Sequence, residues 1–247
     1  MKNTFLNYKI YLLLILTLFL NGSKKLQAQG PVAQRALDTR AMDAMNDLKN
    51  RVSRKEDTPK NVKGSYYFNK NFLLSKVIYF GKELKEKAYL RYNAANDEIE
   101  MGNSSSQKDT EEILLKSTKV NAIIDNEDYR LFSYTPKANK FPIEGYLVVL
   151  VDDDKYSLYI KRKKVYMREV KARTSLERSS PARFISNTSY YFSMDRSAPR
   201  PLKVNRSSVL NLFGSKKIVK KFLKENKIKF KSSKDLVKVF EFANSLK

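Results

Sequence analysis

The chain has no cysteine, no histidine and no tryptophan, and only seven glycines and seven prolines in 247 residues. Without cysteine there are no disulfides, no thiol nucleophile, no thiolate metal site and no N-terminal cysteine to carry a lipid. Without histidine, Ser-His-Asp and Cys-His catalysis, histidine zinc sites, haem ligation by histidine and a near-neutral protonation switch are excluded. What remains is carboxylate, lysine, tyrosine and hydroxyl chemistry, with oxygen-ligand metals. Little glycine and proline beside 12% aromatic residues describes an ordered globular chain, not a disordered tail.

Acidic residues are also scarce, with 26 Asp and Glu against 49 Lys and Arg and a formal net charge of +23. Part of that charge lies in residues 1–28, which read as a signal peptide. Lys2 and Lys9 precede an apolar core from Ile10 to Leu20, and Leu26-Gln27-Ala28 places a small residue at the expected cut. Eleven helical residues span roughly 16 Å, about half of a ~30 Å hydrocarbon layer, so the segment is short for a membrane anchor. Removing it takes away four lysines and no acid, leaving +19 and no expected transmembrane span. The expectation is an exported protein, periplasmic or outer-membrane-associated. In that compartment a basic surface meets envelope polyanions or acidic proteins, and nucleic acid is not an expected partner.

Residues 29–63 divide into a helix and a linker. Leu37, Ala41, Ala44, Met45, Leu48 and Val52 recur at three- and four-residue steps, which predicts an amphipathic helix over Pro31 to Lys55. From Gly64 to residue 205 short aromatic and β-branched runs alternate with turn residues, the pattern of consecutive antiparallel strands. The predicted strands cover Ser65 to Phe68, Val77 to Phe80, Lys85 to Asn93, Glu98 to Met101, Ile113 to Ser117, Asn121 to Ile124 and Arg130 to Tyr134. Gly145 to Val151 is the most apolar run after the leader and reads as a central strand buried on both faces. Beyond the Asp152-Asp153-Asp154-Lys155 turn, Tyr156 to Tyr166 should return as its hairpin partner. Arg168 to Phe184 reads as a loop, Ser189 to Met194 as a strand, and Leu202 to Val204 as a short strand after the break at Pro199 and Pro201. Residues 206–247 predict three short helices, capped by Ser207 and by Ser232 with Asp235, and carrying Ile218, Val219, Phe222 and Leu223 on one apolar face. The fold class is thus α+β: an N-terminal helix, an antiparallel sheet curling into a sandwich or open barrel, and a small C-terminal helical cap.

No catalytic motif, metal set or cofactor set is implied. Asp152-Asp153-Asp154 lacks the glycine and distal glutamate of a calcium loop, and Asp125, Glu127 and Asp128 read likewise as an acidic turn. Asp97, Glu98 and Glu100 face Arg91 across a short turn. They offer paired carboxylates to a glycan-cleaving enzyme, or salt bridges within a strand pair. The densest positive cluster is Lys161, Arg162, Lys163 and Lys164 with Arg168, Lys171 and Arg173, interleaved with Tyr159 and Tyr166. These nine residues are the candidate binding surface, able to grip phosphate or carboxylate groups. A second cluster, Lys216, Lys217, Lys220, Lys221 and Lys224, reads as the solvated face of an amphipathic helix.

Gly64-Ser65-Tyr66-Tyr67-Phe68-Asn69, Phe72, Val77, Gly81-Lys82 and Leu90-Arg91-Tyr92-Asn93 with Asp97-Glu98-Ile99-Glu100 resemble a group of uncharacterised exported proteins of Bacteroidota. The likeness extends loosely to the ending Asn244-Ser245-Leu246. It implies an envelope location and carries no active site. The composite expectation is a non-enzymatic binder of an envelope protein, an anionic glycolipid or a polysaccharide. Its alternatives are a carboxylate enzyme acting on envelope glycan and a periplasmic lipid carrier.

Overall fold

Strands β1 (Lys49–Arg51) and β12 (Arg200–Leu202) are the two ends of one open antiparallel sheet, laid out in the order β1-β6-β5-β4-β2-β7-β8-β9-β10-β11-β12. Between them run β2 (Leu73–Tyr79), β4 (Ala88–Asn93), β5 (Glu98–Gly102), β6 (Glu112–Leu114), β7 (Val120–Ile124), β8 (Glu127–Tyr134), β9 (Ile143–Val151), β10 (Tyr156–Met167) and β11 (Arg183–Met194). The short β3 (Lys82–Glu83) pairs with β2 off this path. Three helices follow: α1 (Arg206–Leu210), α2 (Lys216–Glu225) and α3 (Ser233–Ser245). The computed structural model describes residues 44–52, 62–137, 139, 141–174, 176–214 and 216–246. The signal-peptide reading of 1–28 and most of the predicted N-terminal helix lie outside the described residues.

Local chemistry accounts for the reversals. Phe80-Gly81 and Asp125-Asn126 occupy two-residue hairpin turns with both φ values positive, 48° and 75° in the first and 52° and 61° in the second, matching the twist of the flanking strands. Asp125 is therefore a turn residue, whereas Glu127 and Asp128 belong to β8. At the next tip the three aspartates part company: Asp152 pairs with Arg130, Asp153 accepts from the Lys155 amide, and Asp154 pairs with Arg196.

Several expectations need correction. The predicted helix to Lys55 is replaced at Lys49–Arg51 by β1, because Met45 and Leu48 turn into the core and the backbone pairs with β6. Ser65 to Phe68 is not a strand but a turn with a single bridge from Tyr67 to Asn93, since Ser65 Oγ accepts from the Tyr67 amide. β11 begins at Arg183 inside the predicted loop, and β12 runs through Pro201 instead of starting after it. Asn205, not Ser207, caps α1, and Ile218 is exposed on α2 where an apolar face was expected.

Side chains along each strand point alternately to opposite sides, so the sheet has two differently covered faces. One face carries Val77, Leu90, Tyr92, Ile99, Tyr129, Tyr146, Val148 and Ile160, buried in one cluster with Met45, Leu48 and Leu114. Farther along, Leu158, Phe192 and Leu202 pack under Val209, Phe213, Val219, Leu223, Leu236, Val239 and Phe240 of the helices. The opposite face holds Tyr134, Leu147, Tyr159 and Tyr191. Since Tyr146, Leu147 and Val148 are all buried, β9 is covered on both faces at its middle, as its unbroken apolar run predicts. Among the described residues no helix is long and apolar enough to cross a membrane.

Candidate functional site

β9 and β10 pair only from Leu158↔Val151 to Ile160↔Val148, whereas β10 stays with β11 as far as Met167↔Arg183. The two strands diverge beyond Ile160, and continuing the register would have set Arg162 opposite Tyr146. The β4–β5 turn fills that wedge. The Tyr146 amide donates to both Asp97 carboxylate oxygens at 3.3 Å, and its carbonyl accepts from Lys161 Nζ at 3.0 Å. On the other lip the Arg162 carbonyl accepts from the Tyr92 hydroxyl at 3.3 Å, and the Lys164 amide donates to the Ala94 carbonyl at 2.9 Å. Backbone groups freed by the divergence are thus satisfied by the side chains of Asp97, Lys161 and Tyr92 and by the Ala94 carbonyl, as burial requires.

The wedge is locked by a buried ion pair. Lys161 Nζ lies 2.6 Å from Asp97 Oδ1, which also accepts from the Tyr92 hydroxyl at 2.6 Å. Burial pushes the Lys161 ammonium below its ordinary value, with Asp97 opposing. Burial first, and then the Asp97 charge, hold the Tyr92 phenol well above its usual range. A Cβ on Gly145 would collide with Asp97 Oδ2 and come within 3.2 Å of Lys161 Nζ and Tyr134, so only glycine leaves room for the carboxylate. A perturbed lysine beside a cleft can mark catalysis. Here its donors go to Asp97, the Tyr146 carbonyl and, at 3.4 Å, the Tyr92 hydroxyl, so the ammonium works as a clamp.

A second buried network holds the other carboxylate. Arg91 donates to Glu100 Oε2 from Nη2 at 2.6 Å and from Nε at 3.2 Å, while Asn93 Nδ2 reaches Glu100 Oε1 at 3.0 Å. Its guanidinium is stacked between the Tyr67 and Phe72 rings, at 3.4 and 4.1 Å from their centroids, and donates to the Lys70 and Lys108 carbonyls. Glu100 is 0% exposed. The pairing with Arg91 read from the sequence is present, and Glu100 is sealed from any water or glycan a catalytic carboxylate would need to meet.

The structure divides the predicted basic surface. Tyr159 and Lys161 are interior, 6% and 7% exposed. Arg162 is half-buried, paired with Glu127 and lying 3.7 Å from the Phe68 ring centroid. The reason is that β10 crosses the packed part of the sheet up to Arg162 and only then leaves it. Beyond that point β10 and β11 form a two-stranded ribbon. Lys163, Tyr166, Arg168, Lys171 and Arg173 are exposed on it, and Lys164 Nζ bonds Ser186 Oγ at 2.7 Å. Met167, Val170, Leu176 and Ile185 add exposed apolar surface, with Leu176 95% exposed.

On the Tyr134 face, beside the wedge, lies an open cleft of about 610 Å³ whose lining includes Asp97, Tyr134, Lys161, Lys163, Thr188 and Tyr191. Sequence reasoning missed Gly145, Tyr92 and the Asp97–Lys161 contact. A lone glycine before the most apolar strand was the one available signal. Among the described residues no three carboxylates converge as a metal site. Compared with family models, curated proteins and solved structures, the chain matches none.

Proposed function

We propose that this is an exported, non-enzymatic binding protein of a bacterial envelope, akin to the Bacteroidota group it resembles, which contacts an acidic protein or an anionic glycan through the β10–β11 ribbon. The observation that carries the reading is that Lys163, Arg168, Lys171 and Arg173 are exposed and form no ion pair with a described carboxylate, whereas Arg130, Lys161 and Arg162 in the packed sheet all do. Unneutralised cations on a projecting ribbon attract polyanions and speed their encounter, and exposed apolar side chains beside them add contact area. Of the three carboxylates behind the glycan-enzyme alternative, Asp97, Glu98 and Glu100, two are engaged by cations, Glu100 by Arg91 and Asp97 by Lys161. A lipid carrier would need an enclosed apolar cavity, and the cleft by the wedge is open and lined by Asp97, Lys161 and Lys163.

The test is binding of dextran sulfate across a salt series. The wild-type protein should bind with affinity that falls steeply between 50 and 200 mM salt, about the range over which several phosphate-type contacts are lost. A Lys163→Gln, Arg168→Gln, Lys171→Gln, Arg173→Gln variant should lose at least about tenfold. Equal binding by both proteins would remove the ribbon from the function.

A further inference from the structure

Along β11 the outward backbone groups are paired at both ends and open in the middle. The Phe184 amide donates to the Lys63 carbonyl at 2.9 Å, and the far end pairs with β12 as Tyr190↔Leu202 and Phe192↔Arg200. Pro201, which has no amide hydrogen, sits opposite Tyr191 in the position that needs none. Backbone groups of a strand change direction every residue, so Phe184, Ser186, Thr188, Tyr190 and Phe192 all present N–H and C=O to this edge. Ser186 and Thr188 have no backbone partner on it among the described residues, while Lys163↔Asn187 and Lys161↔Ser189 hold the other edge to β10. Asn187, Thr188 and Ser189 also line the 610 Å³ cleft, and Ser186 to Ser189 are exposed.

The geometry points to this gap as a docking site for an extended acidic polypeptide segment that adds as a short strand beside Ser186 and Thr188. The inference rests on the ribbon as the binding element and names its partner's chemistry. Strand addition supplies main-chain hydrogen bonds, and neighbouring side chains choose the sequence. Those neighbours are basic: Lys163 and Lys164 pair in register with Asn187 and Ser186, and Arg183 and Lys63 flank the near end. Asp97, the carboxylate that lines the cleft, is already held by Lys161. A second copy of this chain would bring the same cations to the same edge, which disfavours self-pairing.

Selection of random twelve-residue displayed peptides on the purified protein tests the site. Selected peptides should be rich in Asp and Glu, and Thr188→Pro should weaken them about tenfold, because it deletes one outward amide and leaves the β10–β11 ladder intact. Amide hydrogen exchange on the wild-type protein gives an answer that does not depend on the variant's folding: peptide should protect Ser186 and Thr188 and leave Asn187 unchanged. Failure to enrich acidic peptides, equal binding by Thr188→Pro, or no new protection at Ser186 and Thr188 would each overturn the proposal, as would a Thr188→Pro-sensitive dimer. Dextran sulfate separates the two readings. Thr188→Pro should bind it like wild type, so a loss confined to the four-glutamine variant reports on the cations alone.

Discussion

At the scale of single residues, the wedge between β9 and β10 shows how one missing side chain makes room for a charge pair. Gly145 has no positive φ to demand glycine; the demand comes from the Asp97 carboxylate packed on its Cα. Gly145→Ala should displace Asp97, leave the buried Lys161 ammonium short of its partner and cost about 2–4 kcal/mol in a urea titration. A loss below about 0.5 kcal/mol would show that the carboxylate can move aside freely. Little of this was legible beforehand. Glycine ahead of an apolar run suggests close approach, but nothing local says that Asp97, 48 positions earlier, is what approaches. The Arg91–Glu100 pair was more accessible, because both residues belong to one hairpin and their register follows from alternation.

At the scale of elements, β10 changes character along its length. Its first half is covered on both faces, and in its second half β11 is the one strand paired with it, with the Lys164 amide held by Ala94 of the β4–β5 turn. The run Lys161 to Lys164 spans that change, which is why a contiguous basic cluster separates into one clamped lysine, one half-buried arginine and two ribbon cations. The ribbon tip contributes little to the packed cores: beyond Met167↔Arg183 its strand pairing is the single bridge Val170↔Ser180. Replacing residues 169–181 by an Asn-Gly turn should therefore leave the midpoint of thermal unfolding within about 2 °C, while dextran sulfate binding falls. A large drop in thermal stability would mean the tip packs on the fold. The strand series between Val77 and Tyr166 and the three C-terminal helices were legible because period-two and helical patterns are local signals. β1 and the N-terminal part of β11 were not, since a three-residue strand and a polar ribbon carry no apolar period of their own.

At the scale of the whole molecule, the absence of histidine leaves alkaline pH as the informative perturbation. Tyr67, Tyr92, Tyr129, Tyr134 and Tyr146 are all held above the ordinary phenol value of 10.0, chiefly by burial. Tyr190 and Tyr191 are raised as well, so the folded protein keeps seven protons that the unfolded chain releases. Their stabilisation is fully present below pH 10 and is lost as pH rises above it, by up to about 1.4 kcal/mol per group per pH unit. Lys161 acts oppositely: its folded value lies below 10.5, so on its own it adds stability as pH climbs toward 10.5. Seven tyrosines outweigh one lysine, and tyrosinate absorbance should rise in two stages, the second coinciding with loss of the far-ultraviolet circular dichroism. Smooth ionisation of every tyrosine near pH 10 with unchanged dichroism would contradict the buried network. By itself the sequence determined most of the strands from Val77 to Tyr166, the C-terminal helices, the excess of cations and the chemistries that are unavailable, because composition and periodicity act through neighbours along the chain. Only the tertiary structure decided which cations are spent inside and which strand edge stays open. Those outcomes depend on where β9 and β10 part, and at that point the β4–β5 turn, far away in sequence, bonds to both strands.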